Sequence, residues 1–438
     1  MRVRTTLILG IAVREAFSFW TGHPFDFEIW VRTGYWVARG MSPYSGMLPA
    51  PGLSFANDFG GPGLHPAIGY LPFWPLLLAA IYDLFSVVGS GNRFAYYFML
   101  KQPIIVADVL LAFLLFVYVK RQNPDLAPKV LKLWIFSPFT IIVSAIWGNF
   151  DSMAMLFVML ALLAPAGRAR SAWEGIAILV KSIPVIYILP LSYSREKRVA
   201  NFLIALGIPV LTTLLVVLLT GWPIGASCFL TKCPTDTVLT TLASTLDKYG
   251  FPLSLWGTWV YLNTLNVISN STFQNIFNWG GYLWIPAVVI AGLLSLRWFG
   301  FGTDRGVIQS MLVITLTFLL VRGQVNEQYA IYLLALLLID VALWSPKRMK
   351  LFYAVSAVII AATVTNNFLL IRFLSPVYPN ALQLEAHLVG EIATIKEAVQ
   401  YFEGLAFCGL NIWYLAALIK ERRRPWDVTV GTKGAGER

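Results

Sequence analysis

The sequence predicts an all-α polytopic membrane protein, on three observations. The 438 residues are 58% hydrophobic and only 13% charged, against about 25% charged in an ordinary soluble domain. Apolar runs of membrane-helix length recur from end to end. Lys and Arg gather between those runs, as the positive-inside rule expects of cytoplasmic loops. The alternating segments of ~10 residues that mark an outer-membrane barrel are not evident. The net charge of +11 is therefore assigned to basic loops rather than to a nucleic-acid surface. Three cysteines are too few for a disulfide scaffold or a structural zinc site.

The first span is expected near Thr5 to Trp20, with Arg2 and Arg4 inside. No small-residue cleavage site precedes the acids that follow, so this helix is read as retained. A long outer segment runs from Thr21 to about Met99. Within it, the apolar stretch Pro66 to Val88 contains Pro72 and Pro75 and is read as a helix at the outer interface. Counting it as a crossing would place Lys120, Arg121, Lys129 and Lys132 outside, against the charge rule. "PIIVADVLLAFLLFVYV" returns to Lys120-Arg121. "VLKLWIFSPFTIIVSAIW" goes out to "GNFDS", and "MAMLFVMLALLAPAG" comes back to Arg168 and Arg170.

"IPVIYILPLSYSREKR" lies between two basic clusters and follows Lys181, with Pro184 inside it, so it is read as a broken, re-entrant hairpin. Lys181 then falls on the cytoplasmic side, as a structural or lipid-binding residue. Asn201 to Thr220 goes out, and a polar loop covers 221–279. Spans at "LWIPAVVIAGLLSL", "VIQSMLVITLTFLLV", "YAIYLLALLLIDVALW" and "LFYAVSAVIIAATVTNNFLLI" follow, then a loop over 372–396. The last span, near Phe402 to Ile419, ends at a basic cluster inside. Two modules result, 1–192 and 193–438.

This topology collects polar groups on one side: Asp26, Glu28, Asp58, His65, Asn149, Asp151, Gln324, Asn326 and Glu327. Ionisable groups near a bilayer are costly and usually line a cavity or pathway. Singly, each has a plain structural reading. Asp58 in "NDFGGPG" reads as a turn residue, and Glu327 as a partner of Arg322. Asp26 and Glu28 are the sharpest pair. In an extended loop they project to the same side; in a helix they splay by about 200°. The residues after them pattern as an interfacial helix, with Ile29, Trp30, Trp36 and Val37 toward lipid. The two acids then either cap that helix or supply a general base, with or without a metal. Cys228 and Cys233 share an outer loop, as a disulfide or as two free thiols. Asn270-Ser271-Thr272 is a glycosylation sequon on the same side.

Several blocks carry a resemblance. "DFE" is followed by "RGMSPY" (Arg39 to Tyr44), then "PAIGY" (Pro66 to Tyr70) and Asp108 in "ADVLLAFLLFVY". "WIFSPFTIIVSAIWGNFDS", "LVKSIPVIYILPL" and "NEQYAIYLL" complete the set. In this order they resemble the GT-C glycosyltransferases, and within them the family of the catalytic subunit of GPI mannosyltransferase I. The likeness covers about the first 190 residues and a patch near Gln328. It departs at Glu28, where the family has Asp.

The resemblance implies a GT-C-like helix bundle of about eleven spans. It implies transfer of mannose from a dolichyl- or polyprenyl-phosphate donor to a glycan or glycolipid acceptor on the non-cytoplasmic face. Asp26 and Glu28 would be the catalytic acids and, if a divalent cation (Mg or Mn) serves, its ligands. Arg322, Lys101 and His65 are the candidate partners of the donor phosphate. Asn149, Asp151, Gln324, Asn326 and Glu327 are the further donor-site candidates. Expected partners are membrane lipid and a small accessory subunit, with no nucleic acid. The competing classes are a lipid-linked sugar transporter and a non-catalytic subunit of a transferase complex.

Overall fold

The computed structural model describes residues 2–44, 47–48, 65–66, 68–88, 91–193, 198–223, 253–264, 267–273, 280, 282–323, 325–378 and 380–421. Asp58, Gln324, Cys228 and Cys233 lie outside the described residues. So does the side chain of His65, whose backbone pairs with Leu48 in a two-residue antiparallel ladder, β1 (Met47–Leu48) with β2 (His65–Pro66).

The remaining regular elements are helical. In chain order they begin with α1 (Val3–Ser18), α2 (Pro24–Val37), α3 (Phe73–Val88) and α4 (Arg93–Lys120). Next come α5 (Ala127–Ile135), α6 (Pro138–Ile141, continued as a π turn over Ile142–Trp147), α7 (Asp151–Leu163) and α8 (Arg168–Val180). A 3₁₀ turn (Ile183–Tyr187) leads to α9 (Ile188–Ser192), then α10 (Arg198–Thr220) and α11 (Leu255–Thr264). The chain closes with α12 (Trp284–Phe299), α13 (Asp304–Val321), α14 (Ala330–Leu343), α15 (Met349–Asn366) and α16 (Ala381–Glu421).

Among the described residues, five helices are long and apolar enough to cross a membrane. They become six when α5 and α6, bent by 48° at their junction, count as one broken span. The bend follows from Pro138, which cannot continue a helical ladder. By length and composition this is a helical membrane protein. Several expected spans are shorter than a full crossing, among them α7 and α12.

The core is built around α14, which is buried over Ala330–Ala342 and apolar on every side except Asp340. A helix apolar all round belongs inside a bundle. It packs on α13 and α15 and also on α4, α5 and α7, so both expected modules share one core. Asp340 is bonded by the Tyr414 hydroxyl and lies 4.0 Å from Arg348.

One buried ion pair ties the first helices together. Arg14 meets Asp108 at 2.6 Å, and both are fully buried. Arg14 also donates to the carbonyls of Gly10 (3.1 Å) and Ile135 (2.8 Å) and to the Thr140 hydroxyl (3.1 Å). Asp108 accepts from Trp134 Nε1 (3.1 Å) and Ser152 (3.0 Å). These bonds offset the cost of removing two charges from water. Asp108 thereby joins α1, α4, α5 and α7 as a structural group.

Two expectations are corrected here. The helix after the acids does not lay its aromatics in lipid: Trp30, Val31 and Val37 are buried against protein, as is Arg32. α2 packs on α3 so closely that a Cβ at Gly34 would stand 2.7 Å from the Leu78 carbonyl oxygen. Lys181 does not fall at the far end from Asp151. α7 and α8 pack as an antiparallel hairpin whose free ends meet, with Lys181 Nζ 2.6 Å from Asp151 Oδ2.

Candidate active site

Pro24 opens α2 at a position where its missing N–H costs nothing. The preceding His23 caps the helix: its Nδ1 accepts from the Asp26 amide at 3.3 Å. Helix therefore begins before the two acids, and they splay instead of sharing a side. Glu28 points inward, is fully buried and is bonded by Arg32 Nε at 2.5 Å. Asp26 sits in the first turn, where the helix dipole favours negative charge. Its side chain keeps 23% of its surface exposed.

Asp26 is held from a distant segment. The π turn over Ile142–Trp147 re-aims Trp147, whose indole N–H donates to Asp26 Oδ2 at 2.6 Å. Such π turns recur at functional sites. Gly148 then ends the turn at φ +82°, in the left-handed region. A Cβ there would stand 2.9 Å from the Phe27 ring and 3.1 Å from Lys101 Cε. His23 stacks on Trp147 with ring centroids 5.1 Å apart and touches Phe373 at 5.6 Å. Burial pushes the His23 imidazole below its ordinary value; Asp26 opposes this and Arg372 adds to it. Three left-handed residues, Phe368, Leu369 and Leu370, shape the turn that delivers Phe373.

A second charged group stands near the first. The Lys181 ammonium is enclosed by the rings of Phe150 (4.7 Å), Tyr329 (5.6 Å) and Tyr70 (5.7 Å). This is a cation–π cage around a buried ion pair. Burial, Asp26, Tyr329 and Asp151 together hold the Tyr70 phenol far above its usual value, so it stays a neutral donor. Phe150 stacks on Trp74 at 3.9 Å and meets Trp30 of α2 at 6.1 Å. The Asp26 turn, the Asn149–Asp151 turn and the strip from Glu327 to Tyr329 thus converge on one end of the bundle.

The other sequence candidates divide. Lys101 is fully buried and donates to the Thr21 carbonyl (2.5 Å) and the Ala145 carbonyl (2.7 Å), so it ties loops together and is not free for a phosphate. Asn149 is buried beside the site, and its amide N–H bonds the Val143 carbonyl at 2.8 Å. Glu327 is buried and accepts from Asn366, which also accepts from Gln400 at 2.5 Å. Its expected partner Arg322 instead lies over Phe318 (5.0 Å), Tyr329 (5.3 Å) and Trp284 (5.4 Å). Asn326 precedes the 3₁₀ turn that carries Glu327 and Tyr329.

Glu28 is committed to Arg32, and no group of three metal-ligating side chains occurs among the described residues. Sequence reasoning missed His23, Trp147, Tyr70 and Tyr329 and misplaced Lys181. The one signal for Lys181 was an ionisable residue within a long apolar stretch, which is a functional pointer by default. No known family model matches this chain, and no curated protein sequence matches it.

Proposed function

We propose that the chain is a membrane glycosyltransferase that moves mannose from a dolichyl- or polyprenyl-phosphate donor to a glycan or glycolipid acceptor on the non-cytoplasmic face. The observation that carries this reading is Asp26: a partly exposed carboxylate, oriented by Trp147, at the same end as a caged Lys181. The GT-C-like blocks supply the substrate class. Asp26 takes the proton of an acceptor hydroxyl while that oxygen attacks the anomeric carbon. The bond from that carbon to the phosphate oxygen breaks, and the lipid phosphate leaves with the electron pair. A single displacement inverts the centre, so a β-linked donor gives an α-mannoside. General-base help of this kind is worth ~10²–10⁴ in rate. Arg322, whose guanidinium lies over the Tyr329 ring that also faces Lys181, is the cation assigned to the departing phosphate, and the Lys181–Asp151 pair is assigned to shaping the site. The chemistry is assigned to these side chains without a metal step.

A lipid-linked sugar transporter is the competing class, and it needs a polar path through the bundle. Two fully buried charges, Arg14 and Asp108, are instead spent on one another. The test uses purified full chain in liposomes with labelled polyprenyl-phosphate mannose and extracted membrane lipids. Labelled glycolipid from wild type and none from Asp26→Asn is the expected result. Equal transfer by the variant removes Asp26 from the base role. Donor translocation without any transferred sugar replaces the transferase with the transporter.

A further inference from the structure

A second polar site lies at the other end of the α7–α8 hairpin, about 20 Å from Lys181 by the rise of the thirteen-residue α8. An open cleft of about 660 Å³ is lined there by Arg170, Tyr193, Leu296, Phe301, Thr303 and Asp304, among others. Arg170 is only 8% exposed, yet its Nε has no hydrogen-bond partner. One of its terminal nitrogens donates to the Ala164 carbonyl at 3.2 Å. Among the described residues, no ion pair includes it. The carboxylates whose charge reaches it, Asp304 and Glu174, stop short of a bonded pair, which is costly for a buried guanidinium, and a planar fork of N–H donors is the shape that matches phosphate oxygens.

Three further features match a phosphate with an attached cation. The N-terminus of α13, capped by Thr303 through the Gly306 amide at 3.1 Å, opens on the same cleft and favours negative charge. Asp304 lines the cleft at its exposed rim and offers a counter-charge to an ammonium group. Tyr193 and Phe301 meet edge to face at 5.4 Å on the wall, and Arg198 covers Tyr193 at 4.6 Å. The flanking helices are apolar and open: Val289, Ile290 and Leu293 of α12 are each about half exposed, as are several leucines of α10. An acyl chain has a surface to follow from Leu296 outward.

We propose that this cleft binds the headgroup of a zwitterionic phospholipid, its phosphate on Arg170 and its ammonium toward Asp304. The site is independent of the transferase reading, because it shares no residue with the Asp26 centre.

The test is native mass spectrometry of the full chain released from nanodiscs holding equal phosphatidylethanolamine, phosphatidylcholine and phosphatidylglycerol. Wild type is expected to retain a zwitterionic lipid in preference to phosphatidylglycerol. Arg170→Gln is expected to retain about tenfold less, the loss of one or two charge-assisted bonds. Asp304→Asn, an exposed change that leaves the core intact, is expected to keep the lipid and lose the preference. Equal retention by Arg170→Gln, or an unchanged preference in Asp304→Asn, overturns the proposal; the second variant decides if the first does not fold. Displacement of the lipid by millimolar inorganic phosphate reassigns the cleft to a free phosphate and overturns the lipid source.

Discussion

Trp147 donates its indole N–H to Asp26 at 2.6 Å across 121 positions of sequence. The bond fixes one carboxylate oxygen and the entry of α2 together. Trp147→Phe keeps a ring against His23 and Phe373, and removes the donor together with part of the buried indole. A hydrogen bond to a charged group is worth about 1.5–3 kcal/mol. We expect transfer from polyprenyl-phosphate mannose to fall about 10- to 100-fold in Trp147→Phe, with a modest lowering of the thermal unfolding midpoint that leaves the chain folded at the assay temperature. Wild-type turnover would mean that the indole does not position Asp26.

The Lys181–Asp151 pair is nearly or fully buried on both sides. Removing one partner leaves an uncompensated charge, a loss of about 3–5 kcal/mol. Lys181→Met is therefore expected to lower the unfolding midpoint in detergent sharply. The double variant Asp151→Leu/Lys181→Met is expected to recover most of that loss while remaining inactive. A double variant as unstable as the single one would show that the aromatic cage, not the pair, holds this corner.

Gly148 cannot carry a side chain cheaply. A left-handed backbone costs an L-residue about 1–2 kcal/mol, and the added Cβ meets Phe27 at 2.9 Å. Gly148→Ala is expected to be destabilised by more than that strain alone, read as thermal unfolding. It should also reduce transfer, because Trp147 immediately precedes the shifted residue.

His23 gives a pH dependence with a definite sign. Its folded-state value is lowered mainly by burial, against an ordinary value of about 6.5. The unfolded chain then binds the proton more readily than the folded one. Stability from neutral His23 is fully present above about pH 6.5 and declines as pH falls toward the folded value. The same protonation removes the Nδ1 acceptor that caps α2. His23→Asn keeps a capping oxygen and should flatten the acid limb of a midpoint-versus-pH curve measured between pH 7 and 5. An identical acid limb in the variant assigns the loss to another group.

Much of the helical framework was legible because apolar runs, prolines and basic clusters are local signals. The runs at 103–119, 201–220 and 307–321 became helices close to where hydropathy put them. The interruption around Pro184 was equally local, whereas the 48° break at Pro138 falls inside a stretch that hydropathy read as one continuous span. The candidate site was half legible. Asp26 and Asp151 stood out as acids beside apolar spans, and they do come together. Glu28 and Lys101 were candidates as well, yet each is consumed by a partner: Arg32 four residues on, and loop carbonyls at Thr21 and Ala145. A charged side chain announces its cost in the sequence, not whether a neighbour has already met it.

The sequence by itself determined that this chain is helical and built for a membrane, since burying backbone in lipid leaves a run of apolar residues little other choice. It also determined that acids follow the first helix. Which acid stays open was decided by tertiary structure, through His23 starting a helix before both and the π turn bringing Trp147 to one. So was the meeting of Lys181 with Asp151, because α7 and α8 fold back on each other over residues whose spacing carries no trace of that contact. Charges removed from water must find partners, and only the packed chain settles which partners are within reach.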